Sequence, residues 1–384
     1  MTQRGSWPLI LALWGAGLGA AAQYGKVSVI FDLLPQAYPE AGAALGWVVS
    51  LVGFVGILFG VVAGLVVARI RYRRALLGAL WVGAGVSLFQ ASLPALPWML
   101  LSRVIEGASH LAIVVAAPTL IAQLAPPQHR GFALTLWGTF FGVAFAVLAF
   151  AGTPLVLNWG LPALFLAHAA YMAAFAVLLG GLLRALPVEG TQPALSLSQI
   201  LRDHLAIYRS PFIAAPAAGW LFYTFSFVSV LTLLPPFLDP ALRALVMTAM
   251  PLTSIIVSMT LGVALLRIMP AVRVIELGFA GSALCMIWLW AMPAAPLACI
   301  ALAAGLGLVQ GASFAAVPQL NGSAAKQAQA NGAMAQMGNI GNTLGTPVIA
   351  MAIATSGYSA LPLLVAAVLT AGFLIHLVLG HLRR

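Results

Sequence analysis

Long apolar runs separated by short charged gaps dominate this sequence. From Trp7 to Leu34 the only charged side chains are Lys26 and Asp32, and comparable runs follow to the end of the chain. A bilayer core is crossed by about 20 apolar residues in a helix, because no water is present there to hydrogen-bond an irregular backbone. Breaking the chain at charges, prolines and turn residues gives twelve such segments: 7–34, 46–68, 75–94, 97–124, 131–154, 161–184, 212–237, 242–268, 272–292, 296–320, 331–355 and 359–381. Only 6% of the residues are charged, against about 25% in a soluble domain. An all-α membrane protein with twelve transmembrane helices is expected. The first segment exceeds the ~7–15 residues of a signal-peptide core and is taken as a membrane helix.

The net charge of +10 does not point to nucleic acid, because the basic residues punctuate the gaps between spans. With the N-terminus inside, Arg4, Arg69, Arg71, Arg73, Arg74, Arg130, Arg184, Arg202, Arg209, Arg267, Arg273, Lys326, Arg383 and Arg384 all fall on the cytoplasmic side, 14 of the 17 lysines and arginines. That asymmetry places both termini in the cytoplasm and the chain in the cell membrane. Cys285 and Cys299 lie in apolar stretches and read as small hydrophobes. The hydrophilic gap 185–211 sits at mid-chain. Within it Leu197, Ile200, Leu201 and Leu205 form an apolar stripe, expected to lie on the membrane surface as an amphipathic helix. It would link an N-terminal six-helix bundle (1–184) to a C-terminal one (212–384).

The two halves also resemble each other. GLVVARIRYRR (64–74) matches GVALLRIMPAVR (262–273), each with a glycine followed by an arginine five residues on, and VIEGASH (104–110) matches LVQGASF (308–314). Internal repeats of this kind mark secondary transporters, whose substrate site lies between the repeats.

At these residues the chain resembles the major facilitator superfamily over its full length. Gly64, Arg69, Arg73 and Arg74 resemble that family's G-x-x-x-D-R-x-G-R-R signature after the second helix, with Ala68 at the acidic position and Arg71 at the inner glycine. Arg103–Gly107 (RVIEG) resembles R-x-x-Q-G, and PPQHRGFAL (126–134) resembles the entry to the fifth helix. The fifth helix, GTFFGVAFAVLAFAG (138–152), lacks the Gly-Pro pair of the family's drug/proton antiporters. The resemblance implies two pseudo-symmetric six-helix bundles, with the first, fourth, seventh and tenth helices lining a central cavity. It implies a gating role for Gly64, Arg69 and Arg73. The stripe Gly53, Gly56, Gly60 and Gly64 reads as close-packing scaffold.

Charge inside a membrane is expensive, so it is expected to face water or a partner. Arg103, Glu106 and His110 recur at helical spacing on one stripe of the fourth span. At a rise of about 1.5 Å per residue they lie roughly 8, 12 and 18 Å below the outer surface. Lys26 and Asp32 lie roughly 28 and 38 Å along the first span, counted from inside. Matching depth pairs Lys26 with Glu106 first, and leaves Arg103 to Asp32 or to substrate. Lys26, Arg103 and His110 are read as substrate-binding, and Glu106 and Asp32 as proton-coupling. His168 falls on the sixth span and is read as structural.

The second half offers neutral polar groups instead: Tyr223, Ser226 and Ser229 on the seventh span, Gln310 and Ser313 on the tenth, Gln336, Asn339 and Asn342 on the eleventh. Tyr223, Ser226 and Gln310 are read as orienting a substrate. Together these features predict a secondary active transporter for a small anionic or zwitterionic solute, working by alternating access and coupled to protons, as a monomer. The competing reading is a proton-coupled exporter of lipophilic cations, in which Glu106 and Asp32 recognise positive charge. Copper transport through Met247, Met250, Met334 and Met337 and a non-transporting sensor are weaker alternatives. No G-x-x-x-x-G-K-[ST] loop, G-x-S-x-G or H-E-x-x-H occurs, so neither an ATP-driven pump nor an enzyme is expected, and no cofactor.

Overall fold

The computed structural model describes residues 6–126, 129–185, 206–293 and 295–384, and among these every regular element is helical. Twelve long helices follow one another: α1 (Ser6–Ser28), α2 (42–70), α3 (Tyr72–Gln90), α4 (Leu96–Leu124), α5 (130–159), α6 (Leu161–Leu182), α7 (Ala214–Leu233), α8 (Pro240–Leu266), α9 (Ala271–Ala291), α10 (Pro296–Leu320), α11 (Ala324–Ser356) and α12 (Ala360–Leu382). Nine of them are long and apolar enough to cross a bilayer by length and composition, judged on the described residues. The other three carry more glycine, amide or charge: Gln23 and Lys26 in α1, Arg73 and Arg74 at the head of α3, and a series of glutamines and asparagines in α11.

Helix ends depart from the expected spans where local chemistry overrides apolarity. α1 stops at Ser28, and Phe31–Gln36 winds as a short 3₁₀ turn. Asp32 is therefore not on the first membrane helix. α5 continues to Trp159, past Pro154, because Leu148–Gly152 opens into a π-turn before it. A proline has no N–H to donate, and widening the preceding turn accommodates that loss. Gly160, at φ +80°, then reverses the chain into α6, a backbone state that costs glycine little. α11 begins at Ala324, earlier than the apolar run, with the Ser323 hydroxyl accepting from the Lys326 amide at 3.3 Å. The amphipathic helix expected around Leu197, Ile200, Leu201 and Leu205 lies outside the described residues.

The helices gather into two compact units. The first takes in α1 and Val62 through α6; the second takes in Phe31–Val61 and α7 onward. The division differs from the expected 1–184 and 212–384 bundles at Phe31–Val61, which packs with the second unit. Gly56 and Gly60 explain why: a Cβ at Gly56 would overlap the Asn339 amide, and one at Gly60 would come within 3.2 Å of the Gln336 backbone. Part of the glycine stripe is thus a smooth track for α11, and the Gln336 side chain donates to the Ile57 carbonyl at 2.9 Å. The same device joins α7 to α11, where Gly341 lies directly against the Leu221 and Phe225 backbone. Such small-residue contacts hold helices together where lipid removes the hydrophobic drive for helix association.

Candidate functional site

α1 is rich in glycine and alanine, and small side chains leave its backbone carbonyls within reach of neighbouring helices. Tyr171 of α6 donates to Gly15, His168 of α6 to Gly19 (2.9 Å), and His110 of α4 to Ala20 (2.9 Å). Arg103 of α4 reaches the Gln23 carbonyl at 2.5 Å. α1 is therefore gripped along its length by polar side chains from α4 and α6, and one turn further on it presents Lys26.

Lys26 sits at the centre of a buried ionic cluster. Its ammonium contacts the Glu106 carboxylate at 2.5 Å, the Ser87 hydroxyl at 2.5 Å and His168 Nδ1 at 3.3 Å, and it lies 5.4 Å from the Phe165 ring centre. An ammonium has three donors, and three acceptors surround it. The other Glu106 oxygen accepts from Arg103 and from the Gln90 amide (3.0 Å). Gln90 also reaches Ser102, and Gln23 reaches Ser109. Lys26, Arg103 and Glu106 are each 0% exposed.

Hydrogen-bond directions fix the protonation pattern on His168. Its Nε2 faces the Gly19 carbonyl, an acceptor, so that nitrogen carries the proton. Nδ1 then presents a lone pair to Ser87 Oγ at 2.6 Å. Ser87 accepts from Lys26 and donates to His168. The result is a continuous path from ammonium through hydroxyl to imidazole, with Lys26 and His168 also in direct contact.

The geometry revises several expectations. Lys26 does pair with Glu106, but Arg103 is balanced by Glu106 three residues along its own helix and not by Asp32. These charges do not face water. Ser87 and Gln90 of α3 and His168 of α6 provide the hydrogen bonds that water would otherwise supply, which is the other way a buried charge is satisfied. His168, expected to lie apart from the site, is a full member of the cluster. Asp32 pairs instead with Arg243 at 3.4 Å, both partly exposed, so it lacks the buried setting of a proton carrier. His110 is edge-on to Tyr24, with ring centres 5.2 Å apart.

In the second unit, Tyr223 is buried within an aromatic column, stacked on Trp220 (4.7 Å) and on Phe227 (5.4 Å). Gln310 accepts weakly from Ser254 at 3.3 Å and is half-buried. Ser226 and Ser229 donate to the Phe222 and Phe225 carbonyls of their own helix. Met247 and Met250 are buried packing residues. Of the signature after α2, Arg73 reaches the Gly180 carbonyl at 3.5 Å, and Arg71 adopts φ +74° between α2 and α3. Gly64 lies in helical backbone, and the Arg69 side chain lies outside the described ones.

Nine helices long and apolar enough to cross a bilayer among the described residues, with a buried ion cluster held by α1, α3, α4 and α6, are the features of a helical membrane protein. The profile of the Major Facilitator Superfamily matches residues 9–345, and the chain belongs to that family of transporters, which are not enzymes. It is 33% identical over 196 residues to the uncharacterized MFS-type transporter YhhS of Salmonella typhimurium, a match covering 48% of this chain and 45% of that one. It is 28% identical over 152 residues to the niacin transporter NiaP of Acinetobacter baylyi, covering 38% and 34% respectively. The matched stretch spans less than half the length of these curated relatives. The crystal structure of a bacterial homologue of the human lysosomal transporter Spinster superposes with a TM-score of 0.79, covering 99% of this chain and 97% of that one at 13% identity. At that identity the likeness is one of fold.

Proposed function

We propose that this protein is a secondary active transporter that carries a small anionic or zwitterionic organic solute together with a proton, by alternating access, with both termini in the cytoplasm. The observation that carries the reading is the charge count of the buried cluster: two cations, Lys26 and Arg103, against one carboxylate, Glu106. A guanidinium does not lose its proton in a protein, and Glu106 is held between two cations and an amide. Lys26 is then the member able to change charge. Losing its proton leaves a balanced Arg103–Glu106 pair; regaining it leaves one positive charge in a low-dielectric bundle, where it attracts an anion strongly. Ser87 and His168 Nδ1 are the acceptors beside the ammonium, the groups to which that proton can first pass.

The coupling role thus passes from Glu106 and Asp32 to Lys26. The cation-exporter alternative needs a carboxylate free to meet a positive substrate, and both Glu106 and Asp32 are ion-paired. Niacin, named as the solute of one relative, is a small carboxylate of the class proposed. The test is uptake of labelled niacin and other small organic acids into proteoliposomes, with and without an inward proton gradient. Gradient-driven uptake is expected in the natural protein. Lys26→Arg, which keeps the charge and fixes it, is expected to retain solute binding and lose the response to the gradient. Uptake that is indifferent to proton gradients, or equally driven in Lys26→Arg, overturns the proposal.

A further inference from the structure

At the end of the second unit that bears Arg383 and Arg384, a cleft of about 330 Å³ opens between the first turn of α9, the end of α10 and the last turns of α12. Its lining joins hydrocarbon, from Pro270, Leu320 and Leu377, to basic side chains. Arg273, Arg383, Arg384 and His381 line it against one carboxylate side chain, Glu276. Arg273 is bound to that carboxylate at 2.7 Å. Arg383 donates to the Pro211 carbonyl at 3.0 Å, and a guanidinium has five N–H groups in all. Among the described residues Arg383 and Arg384 have no carboxylate within ion-pair distance, and Glu276 attracts the Arg383 guanidinium from further off. Gly380 lines the cleft without a side chain to fill it.

Like charges gathered in a concave site repel unless an anion sits among them. A guanidinium pair matches the tetrahedral oxygens of a phosphate by parallel N–H···O bonds. A free phosphate would use the basic side chains alone, whereas the apolar lining, with Leu377 itself exposed, suits a ligand that also carries hydrocarbon. The positive-inside count puts this end of the bundle at the leaflet where anionic headgroups attract basic clusters. We infer that the cleft is a phosphate-recognition site for an anionic phospholipid, with the headgroup phosphodiester against Arg383, Arg384 and Arg273 and an acyl chain along Leu377. The site is separate from the buried cluster and does not depend on the transport reading.

Native mass spectrometry of the full chain in detergent, titrated with palmitoyl-oleoyl phosphatidylglycerol or phosphatidylcholine, tests this. The natural protein is expected to retain phosphatidylglycerol preferentially. Arg383→Gln with Arg384→Gln is expected to weaken that retention roughly thirtyfold, from the ~1 kcal/mol that each arginine contributes near an anionic surface. Arg267→Gln with Lys326→Gln, an equal loss of charge outside the cleft, is expected to change it little. Gly380→Leu, which fills the cleft without altering charge, is expected to abolish the preference. The inference is overturned if the cleft variants bind phosphatidylglycerol like the natural protein, or if the control pair loses as much. Thermal protection by inorganic phosphate with no preference between the two lipids overturns the lipid as the source and leaves a free-phosphate site.

Discussion

The ammonium of Lys26 lies 2.5 Å from the carboxylate of Glu106, and neither side chain reaches solvent. Both also have further partners, and these make the two residues unequal. Glu106 is the one carboxylate in contact with both Arg103 and Lys26, whereas removing Lys26 leaves Arg103 and Glu106 balanced. Glu106→Gln strands two buried cations and is expected to cost about 3–5 kcal/mol, the range for breaking a buried pair. Lys26→Met is expected to cost clearly less. Thermal unfolding of the two variants in detergent checks this, and a Lys26→Met protein as unstable as Glu106→Gln contradicts the charge count.

A second prediction concerns Arg71, which holds φ +74° and ψ 127° between α2 and α3. It occupies the inner-glycine position of the signature that the segment resembles. A side chain in that backbone region costs on the order of 1–3 kcal/mol. Arg71→Gly is expected to raise stability by about 1 kcal/mol, once the greater freedom of glycine in the unfolded chain is subtracted. Arg71→Ala, which keeps a Cβ, is expected to give no such gain. A lower melting temperature for Arg71→Gly than for Arg71→Ala rules the strain out.

Much of this architecture is readable from apolar run length, because a bilayer sets the length of a helix whatever its packing. The bounds of α10 coincide with the expected 296–320. Depth counting also brings Lys26 level with Glu106, since rise per residue is insensitive to neighbours. Azimuth is not readable in the same way: a polar stripe can be satisfied by water or by other helices, and periodicity does not distinguish the two. The signal that does lies in three polar pairs at i, i+3: Gln23 with Lys26, Ser87 with Gln90, and Arg103 with Glu106. One such pair needs an outside partner; three on separate helices can bond to one another, as Lys26, Ser87, Gln90 and Glu106 do here. His168 escapes a reading by helix number, because α6 approaches α1 through Gly19, where no side chain keeps it away.

His376 of α12 marks another position where a substitution is expected to stabilise. It is fully buried beside Gly219, and among the described residues neither ring nitrogen has a hydrogen-bond partner. A buried polar group without a partner loses its hydration and gains nothing in return, at a cost of about 1–3 kcal/mol. His376→Leu is expected to stabilise the second unit, with a higher melting temperature. Gly219→Ala is expected to destabilise it, because the new methyl group would overlap the imidazole Nε2. A destabilised His376→Leu protein would show that the imidazole has a partner after all.

The last prediction follows the hydrogen bonds that tie the 206–209 turn to α11 and α2. The Tyr208 hydroxyl donates to Gln336 at 2.6 Å, and the Gln336 amide donates onward to the Ile57 carbonyl at 2.9 Å. Burial pushes the Tyr208 phenol up to about 12, against an ordinary value of about 10. The folded protein therefore holds this proton more tightly than the unfolded chain does. The resulting stabilisation is complete below the unfolded value and declines as pH rises from ten towards twelve. Tyr208→Phe removes both the bond and the titration. The melting-temperature gap between the natural protein and Tyr208→Phe is expected to be constant from pH 7 to 9 and to narrow above pH 10. A gap that stays level through pH 11 means that burial in the folded protein does not hold this proton more tightly than the unfolded chain does.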